Sequence, residues 1–257
     1  MSKCYMITLP RGDGIKMCKQ FACIKRYIWN HDIHKWVIGA EVGKSGYKHW
    51  QIRIMGQNDE KAEFEQIKKE IYDGAHVEKA SDTWTYERKE GMFWAYDDTK
   101  EILQTRFGHP RGWQKCALEG LRSQNDREVD IWYNPTGNEG KSWLVNHLYE
   151  TGKAWYVPMT EGAESIMKAV ASLTDKFGKR PIICIDIPRT CKWSDGIYTV
   201  IEMLKDGLIM DPRYTATPIN IRGTKIIVFT NHDVDKKKLS ADRWRCWHLE
   251  NHMWYEF

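Results

Sequence analysis

The chain has 257 residues, with 39 Lys and Arg against 35 Asp and Glu, 42% hydrophobic and 29% charged, enough to bury the core of one large domain or two small ones. That balance excludes collagen, coiled coil and long disorder. A mean hydropathy of -0.63, no run near the ~20 apolar residues of a membrane span, and a start that enters a strand-like segment rather than a signal peptide predict a soluble protein. It is expected to stay inside a cell, with no membrane partner.

Seven scattered cysteines, without a C-x-x-C pair, argue against structural zinc and a disulfide framework. The net charge of +4 permits an acidic partner without demanding one, so any nucleic-acid site must be a local patch. Thirteen tryptophans could stack on single-stranded bases, although core packing accounts for most tryptophans in general.

Residues 4–9 read as a buried strand stopped by Pro10, and 15–29 carry apolar residues at helical spacing. Trp36 to Val42 and His49 to Met55 read as strands about the turn Gly43-Lys44-Ser45-Gly46. An amphipathic helix follows at 59–71, then a short strand at His76 to Glu78. Ser81 caps a predicted helix carrying Thr85 to Glu90, and Met92 to Ala95 is a strand. The order β-α-β-β-α-β-α-β predicts a compact α+β sandwich. Thr99 to Pro110 reads as a linker and 113–128 as a short helix. Thereafter strands at Val129 to Tyr133, 182–187 and 225–230, with a helix at 142–150, predict a parallel sheet with helices between its strands.

The loop Asn134-Pro135-Thr136-Gly137-Asn138-Glu139-Gly140-Lys141-Ser142 lies between a predicted strand and helix. Gly137 and Gly140 allow backbone N–H groups to close on phosphates, Lys141 neutralises their charge, and the Ser142 hydroxyl reaches Mg²⁺. The first glycine of the strict pattern falls on Pro135, and a surface turn containing Gly-Lys-Ser is the plain alternative. Asp186 ends an apolar strand, where a carboxylate can hold Mg²⁺, and Asn231 follows another, where an amide can orient water or sense a terminal phosphate. Arg243 is a candidate finger for a neighbouring subunit's nucleotide, or a structural ion pair. Ile187 stands where many ATPases place a general base.

In the first half, strand alternation puts His49 and Gln51 on one face, and Glu41 on the preceding strand can point a carboxylate to the same place. Imidazole, amide and carboxylate suit Mg²⁺ or Mn²⁺. On a helix, Tyr86 and Lys89 share a face, so a phenol can attack a phosphodiester beside an ammonium. Each pattern alone also describes an ordinary exposed surface.

Together and in this order, these motifs resemble the replication initiator (Rep) of small circular single-stranded DNA viruses, over nearly the whole chain. The matching segments are Tyr5-Met6-Ile7-Thr8-Leu9-Pro10, Gly46-Tyr47-Lys48-His49-Trp50-Gln51 and Tyr86-Glu87-Arg88-Lys89-Glu90-Gly91. The phosphate loop, Ile185-Asp186-Ile187-Pro188-Arg189, Phe229-Thr230-Asn231 and Leu239 to Trp244 are similar to that family's superfamily 3 helicase motifs. The first segment, with Val37 to Gln51, looks most like the smacovirus branch.

The resemblance implies an α+β HUH-type endonuclease domain with a ferredoxin/RRM-like antiparallel sheet over 1–100. A linker or oligomerisation segment over 101–128 and an α/β P-loop superfamily 3 helicase (AAA+) domain over 129–257 would follow. It implies that Tyr86, with Lys89, nicks a stem-loop origin in single-stranded DNA and stays joined to the 5′ end through a phosphotyrosine. The released 3′-OH would prime rolling-circle synthesis by a host DNA polymerase. Glu41, His49 and Gln51 match the metal positions, His-x-Gln replacing the His-x-His of plasmid relaxases. The second half would bind ATP and assemble as a ring, plausibly a hexamer, with DNA contacts drawn from Lys205, Arg213 and Tyr214. A host-cell location follows, nuclear in a eukaryotic host. The competing readings are an origin-binding module whose degenerate ATPase serves assembly only, and a nucleotide-dependent RNA-binding protein with an RNA-recognition-type sheet.

Overall fold

The computed structural model describes residues 3–160, 162–210, 218–238 and 240–256. The chain divides into two compact units, Met1–Phe107 and Gly108–Phe257. The first contains β1 (Cys4–Pro10), α1 (Gly14–Asn30), β2 (Trp36–Val42), β3 (Lys48–Met55), α2 (Glu60–Glu70), β4 (His76–Lys79), β5 (Phe93–Ala95) and α3 (Lys100–Arg106). Its five strands form one sheet in the order β4-β1-β3-β2-β5, antiparallel throughout.

Alternation along these strands builds the core of the first unit. Trp50, Ile52 and Ile54 of β3 pack with Tyr5, Ile7 and Leu9 of β1 and with Ile24, Tyr27 and Ile28 of α1. The three α1 residues recur at the i, i+3, i+4 spacing of one helical face. Asp59 caps α2 by accepting from the Ala62 N–H at 3.1 Å, and buried Glu63 accepts from the Tyr27 hydroxyl at 2.8 Å.

Two expectations fail in this unit. The helix predicted to carry Thr85 to Glu90 is a single 3-10 turn, Tyr86–Arg88. The segment read as a linker contains α3, whose Thr99 cap accepts from the Ile102 N–H at 3.2 Å. Arg106 closes α3 against Asp98 at 2.7 Å, with its guanidinium 3.6 Å from the centre of the Phe93 ring. Residues 101–128 are therefore not one connecting element, because they are divided between the units.

The second unit contains α4 (Trp113–Ser123), β6 (Val129–Tyr133), α5 (Lys141–Glu150), β7 (Ala154–Pro158), α6 (Ala163–Phe177), β8 (Ile182–Asp186) and α7 (Asp195–Asp206). These are followed by β9 (Leu208–Ile209), β10 (Ile219–Asn220), β11 (Lys225–Thr230), β12 (Trp244–Glu250) and β13 (Met253–Glu256). Six strands form a sheet in the order β13-β12-β6-β11-β8-β7, parallel except for β13. Both faces are covered, as a parallel sheet requires. Val129 and Ile131 of β6 join one cluster with Ile166, Val170 and Ile201, whereas Trp132 joins another with Trp113, Leu144 and Leu148. All seven cysteines are unpaired, and among the described residues no helix is long and apolar enough to cross a membrane.

Candidate functional site

Antiparallel pairing brings the first cluster together. Glu41 of β2 lies opposite His49 of β3, while Gly39 and Thr8 lie on either side of Gln51. His49, Gln51 and Arg53 share the face opposite the helix-packed core because strand side chains alternate. The buried Glu41 carboxylate gathers the group: its Oε2 is 2.8 Å from Lys89 Nζ and 3.6 Å from His49 Nε2. Its Oε1 is buried without a hydrogen-bond partner. Gln51 Oε1 accepts from the Thr8 hydroxyl at 3.1 Å. The His49 ring stacks on Tyr47, with Nδ1 3.3 Å from the Tyr47 carbonyl, which leaves Nε2 toward Glu41.

Lys89 joins this cluster to the half-exposed Tyr86, since its ammonium lies 3.5 Å from the centre of the Tyr86 ring. Burial pulls the Lys89 pKa down, but the Glu41 carboxylate and Tyr86 outweigh it and hold the pKa above its ordinary value. The 3-10 turn still pairs Tyr86 with Lys89, because residues three apart eclipse one another in that geometry.

Glu87 explains why the turn does not continue as a helix. Its buried carboxylate meets Arg53 Nε at 2.8 Å, and its carbonyl sits where a Cβ on Gly39 would come within 2.4 Å. Glycine at position 39 thus lets the Tyr86 turn lie directly on β2. Burial pushes the Glu87 carboxyl pKa up despite Arg53. Sequence reasoning missed Arg53, Glu87, Gly39 and Thr8. A signal for Arg53 was present, since it extends the His49-x-Gln51 alternation by one more position.

Among the described residues no group of three or more His, Cys, Asp or Glu is placed to hold a metal ion. Glu41, His49 and Gln51 form a three-donor set only with the Gln51 amide counted. A carboxylate with one unpartnered buried oxygen, an imidazole and an amide nevertheless fit a hard divalent ion by donor chemistry.

The second cluster surrounds the loop between β6 and α5. Gly137, Asn138 and Gly140 have φ of +86°, +60° and +80°, and α5 starts at Lys141. Left-handed residues beside a helix N-terminus turn N–H groups into an anion-binding concavity. Pro135 is not among the residues with positive φ, so this loop needs no glycine at that position.

Lys141 Nζ lies 3.4 Å from the Thr230 carbonyl. Burial pulls its pKa down to about 8, with Asp186 opposing that change and Arg189 adding to it. Asp186 ends β8 with its pKa raised by burial, which Lys141 partly offsets. Asn231 follows β11, the strand between β6 and β8, and its amide donates to the Asn134 carbonyl at 2.5 Å. Asn134 is buried, with Nδ2 donating to the Leu249 carbonyl at 2.7 Å and Oδ1 unpartnered. Ser142 follows Lys141 in the first turn of α5. Ile187 is buried in the apolar core.

The loop is braced by neighbouring side chains. Trp113 and Gln114 donate to the carbonyls of Glu139 and Gly140, each at 2.9 Å. Glu139 accepts from the His252 N–H at 2.9 Å and pairs with His252 Nδ1 at 2.6 Å. The Arg189 guanidinium donates to the Thr136 carbonyl at 3.1 Å.

Two expected residues point elsewhere. Arg243, expected to reach a neighbouring subunit, is buried and paired with Asp206 at 2.9 Å and Glu202 at 3.4 Å. Lys205, expected to contact DNA, is buried; it donates to Gln124 Oε1 at 3.0 Å, and burial lowers its pKa to about 8. In both cases a carboxylate or amide of the same unit holds the cation inward. Arg213 and Tyr214 lie outside the described residues.

No family model matches the chain. It is 32% identical over 136 residues to Para-Rep C10 of Milk vetch dwarf C10 alphasatellite, covering 52% of this chain and 46% of that protein. Para-Rep C7 of Faba bean necrotic yellows C7 alphasatellite gives the same identity and coverage. The Master replication protein of Faba bean necrotic yellows virus (isolate Syrian SV292-88) is 28% identical over 127 residues, covering 49% of this chain and 41% of that protein. The chain thus spans somewhat under half the length of these curated relatives. A solved glutamyl-tRNA reductase from Methanopyrus kandleri aligns over 90% of this chain and 72% of its own, at 11% identity and a TM-score of 0.22, too low to indicate a common fold. Over about half its length the chain is similar to replication proteins of alphasatellites and nanoviruses.

Proposed function

We propose that this chain is the rolling-circle replication initiator, or Rep, of a circular single-stranded DNA virus. It nicks and joins single-stranded DNA at a stem-loop origin through Tyr86. The observation that carries this reading is the unbroken run of contacts from Tyr86 through Lys89 and Glu41 to His49. The names of the relatives support it, and within that reading the likeness of Val37 to Gln51 favours the smacovirus branch.

In the proposed reaction the Tyr86 hydroxyl loses its proton and attacks the phosphorus. A tyrosine–phosphate ester forms at the 5′ end while the 3′ oxygen leaves and takes up a proton. Lys89 sets an ammonium against the attacking ring, where it offsets negative charge that develops in the transition state. Glu41, His49 and Gln51 would hold Mg²⁺ or Mn²⁺, which supplies polarisation of the scissile phosphate. Rejoining reverses the exchange: a 3′-OH attacks the phosphotyrosine and Tyr86 leaves.

In the second unit, Gly137, Gly140, Lys141 and Ser142 would bind ATP phosphates, Asp186 would hold Mg²⁺, and Asn231 would face the terminal phosphate. ATP-driven unwinding by a hexameric ring of subunits, and extension of the 3′-OH by a host polymerase, complete the proposal. The protein would act in the host cell, and in the nucleus of a eukaryotic host. The burial of Ile187 favours a second reading, an origin-binding module whose ATPase serves assembly only.

The test is to incubate the protein with end-labelled single-stranded hairpins, with and without Mn²⁺, beside Tyr86→Phe. A metal-dependent adduct that disappears in the variant is expected; no adduct across a broad hairpin library, from folded protein, would overturn the nicking proposal. ATP turnover stimulated by single-stranded DNA separates the helicase from the assembly module.

A further inference from the structure

Arg189 ends the segment Ile185-Asp186-Ile187-Pro188-Arg189, three residues beyond Asp186, and is not among the residues expected to bind ATP. Its guanidinium reaches the rim of the phosphate loop and donates to the Thr136 carbonyl at 3.1 Å. The same group passes over Gly137, where a Cβ would meet Arg189 Nη2 at 2.9 Å. Its backbone is tethered as well, because the Arg189 carbonyl lies 2.6 Å from His232 Nε2, one residue after Asn231. Arg189 is thus held between the loop and the segment that carries Asn231, although the residue as a whole is exposed.

Four features make this more than a surface contact. A guanidinium has five N–H donors, and the Thr136 carbonyl engages one of its nitrogens. Loop N–H groups gather on the concave side of a phosphate nest, and Arg189 meets the loop at Thr136 and Gly137, ahead of Lys141 and α5 in the chain. Arg189 is near enough to Lys141 for its charge to add to the lowering of the Lys141 pKa. Arg243, expected to supply a cation to a neighbouring subunit, is buried in its own unit with its Nη2 paired to Asp206 and Glu202.

We propose that Arg189 contacts the terminal phosphate of a bound nucleoside triphosphate, a second cation supplied in cis by the loop after β8. The proposal rests on reading the loop as a nucleotide site. Lys141 and the nest hold the phosphates common to di- and triphosphate, while Arg189 adds contacts that only the triphosphate can accept. The guanidinium suits this role because its planar fork can bind two phosphate oxygens at once.

The experiment titrates the full chain, in Mg²⁺, with fluorescent ATP and ADP analogues. It compares wild type, Arg189→Ala, Arg189→Lys and Lys141→Ala, and checks each for an unchanged thermal unfolding midpoint. Arg189→Ala is expected to weaken ATP about tenfold, the effect of one charged hydrogen bond. ADP should change less than about twofold, and Arg189→Lys should recover part of the ATP affinity. Equal loss of ATP and ADP would overturn the proposal and leave Arg189 as a brace for Thr136; unchanged ATP affinity would also overturn it. If wild type binds neither nucleotide, or Lys141→Ala binds both as wild type does, the nucleotide site itself fails, an outcome separate from either Arg189 result.

Discussion

In the first unit the candidate side chains touch one another: Glu41 draws in Lys89 and His49, and Lys89 meets the Tyr86 ring. In the second unit the phosphate loop is shaped by its backbone, with left-handed residues at 137, 138 and 140 and braces on its carbonyls from Trp113, Gln114 and Arg189. One site is organised around a buried anion, the other around cations and N–H groups. The first should therefore fail by loss of single side chains, and the second by loss of positive charge.

The most severe break is Tyr86→Phe. It should lower cleavage and adduct formation roughly 1,000-fold or more, since no nucleophile remains, and leave ATP turnover within about twofold. Lys141→Ala should do the reverse, weakening nucleotide binding by roughly 100-fold with nicking intact; both are read by parallel gel and turnover assays. Loss of both activities in either variant would defeat the division into independent sites.

Gly39→Ala tests the close approach of the Tyr86 turn to β2. The new methyl meets the Glu87 backbone, so urea unfolding of the first unit should shift by about 2 kcal/mol, with nicking lost before nucleotide binding. A variant as stable as wild type would mean that the turn can lift at little cost.

A change of pH distinguishes the two charge arrangements. With its pKa pulled down to about 8 by burial, Lys141 is protonated below that pH and neutral above it. A bound phosphate favours the protonated form, so binding above pH 8 must take up a proton, and affinity should fall about tenfold per pH unit. Lys89, whose pKa is raised, should keep its charge through that range. Isothermal titration in buffers of different ionisation enthalpy would detect the proton. The smallest effect is expected of Thr8→Val, which removes the hydroxyl that orients Gln51; metal-dependent nicking should fall by about tenfold, the low end for loss of a partner that orients a metal ligand.

Strong local patterns made much of this legible. The strands and helices of residues 4–79 follow their apolar spacing, and the loop at 134–142 stands out by its small residues beside a strand. The readings that failed depended on distant partners. Ser81 and the Tyr86-x-x-Lys89 spacing suggest a helix, but Arg53, 34 residues away, buries Glu87 and fixes a short turn instead. The 99–110 segment looks like a linker because its anchor, Arg106 against Asp98 and Phe93, is polar and aromatic rather than periodic. Arg243 and Lys205 look available because a sequence does not state which carboxylate or amide will cover a cation. Helices α6 and α7 and strands β7, β12 and β13 stand out less, since the apolar runs at 182–187 and 225–230 dominate the pattern there.

Strand β3 has a consequence for how the protein folds. It carries His49, Gln51 and Arg53 on one side and Trp50, Ile52 and Ile54 on the other. Sliding it by one residue would exchange the two sets, taking three large apolar side chains out of the apolar core at a cost of about 6 kcal/mol and parting buried Arg53 from Glu87. The alignment that makes the core is thus the same one that gathers His49 and Gln51 beside Glu41. A misregistered chain would be recognised by its instability rather than by a faulty reaction, so inactive yet well-folded molecules should arise from altered side chains and not from slippage.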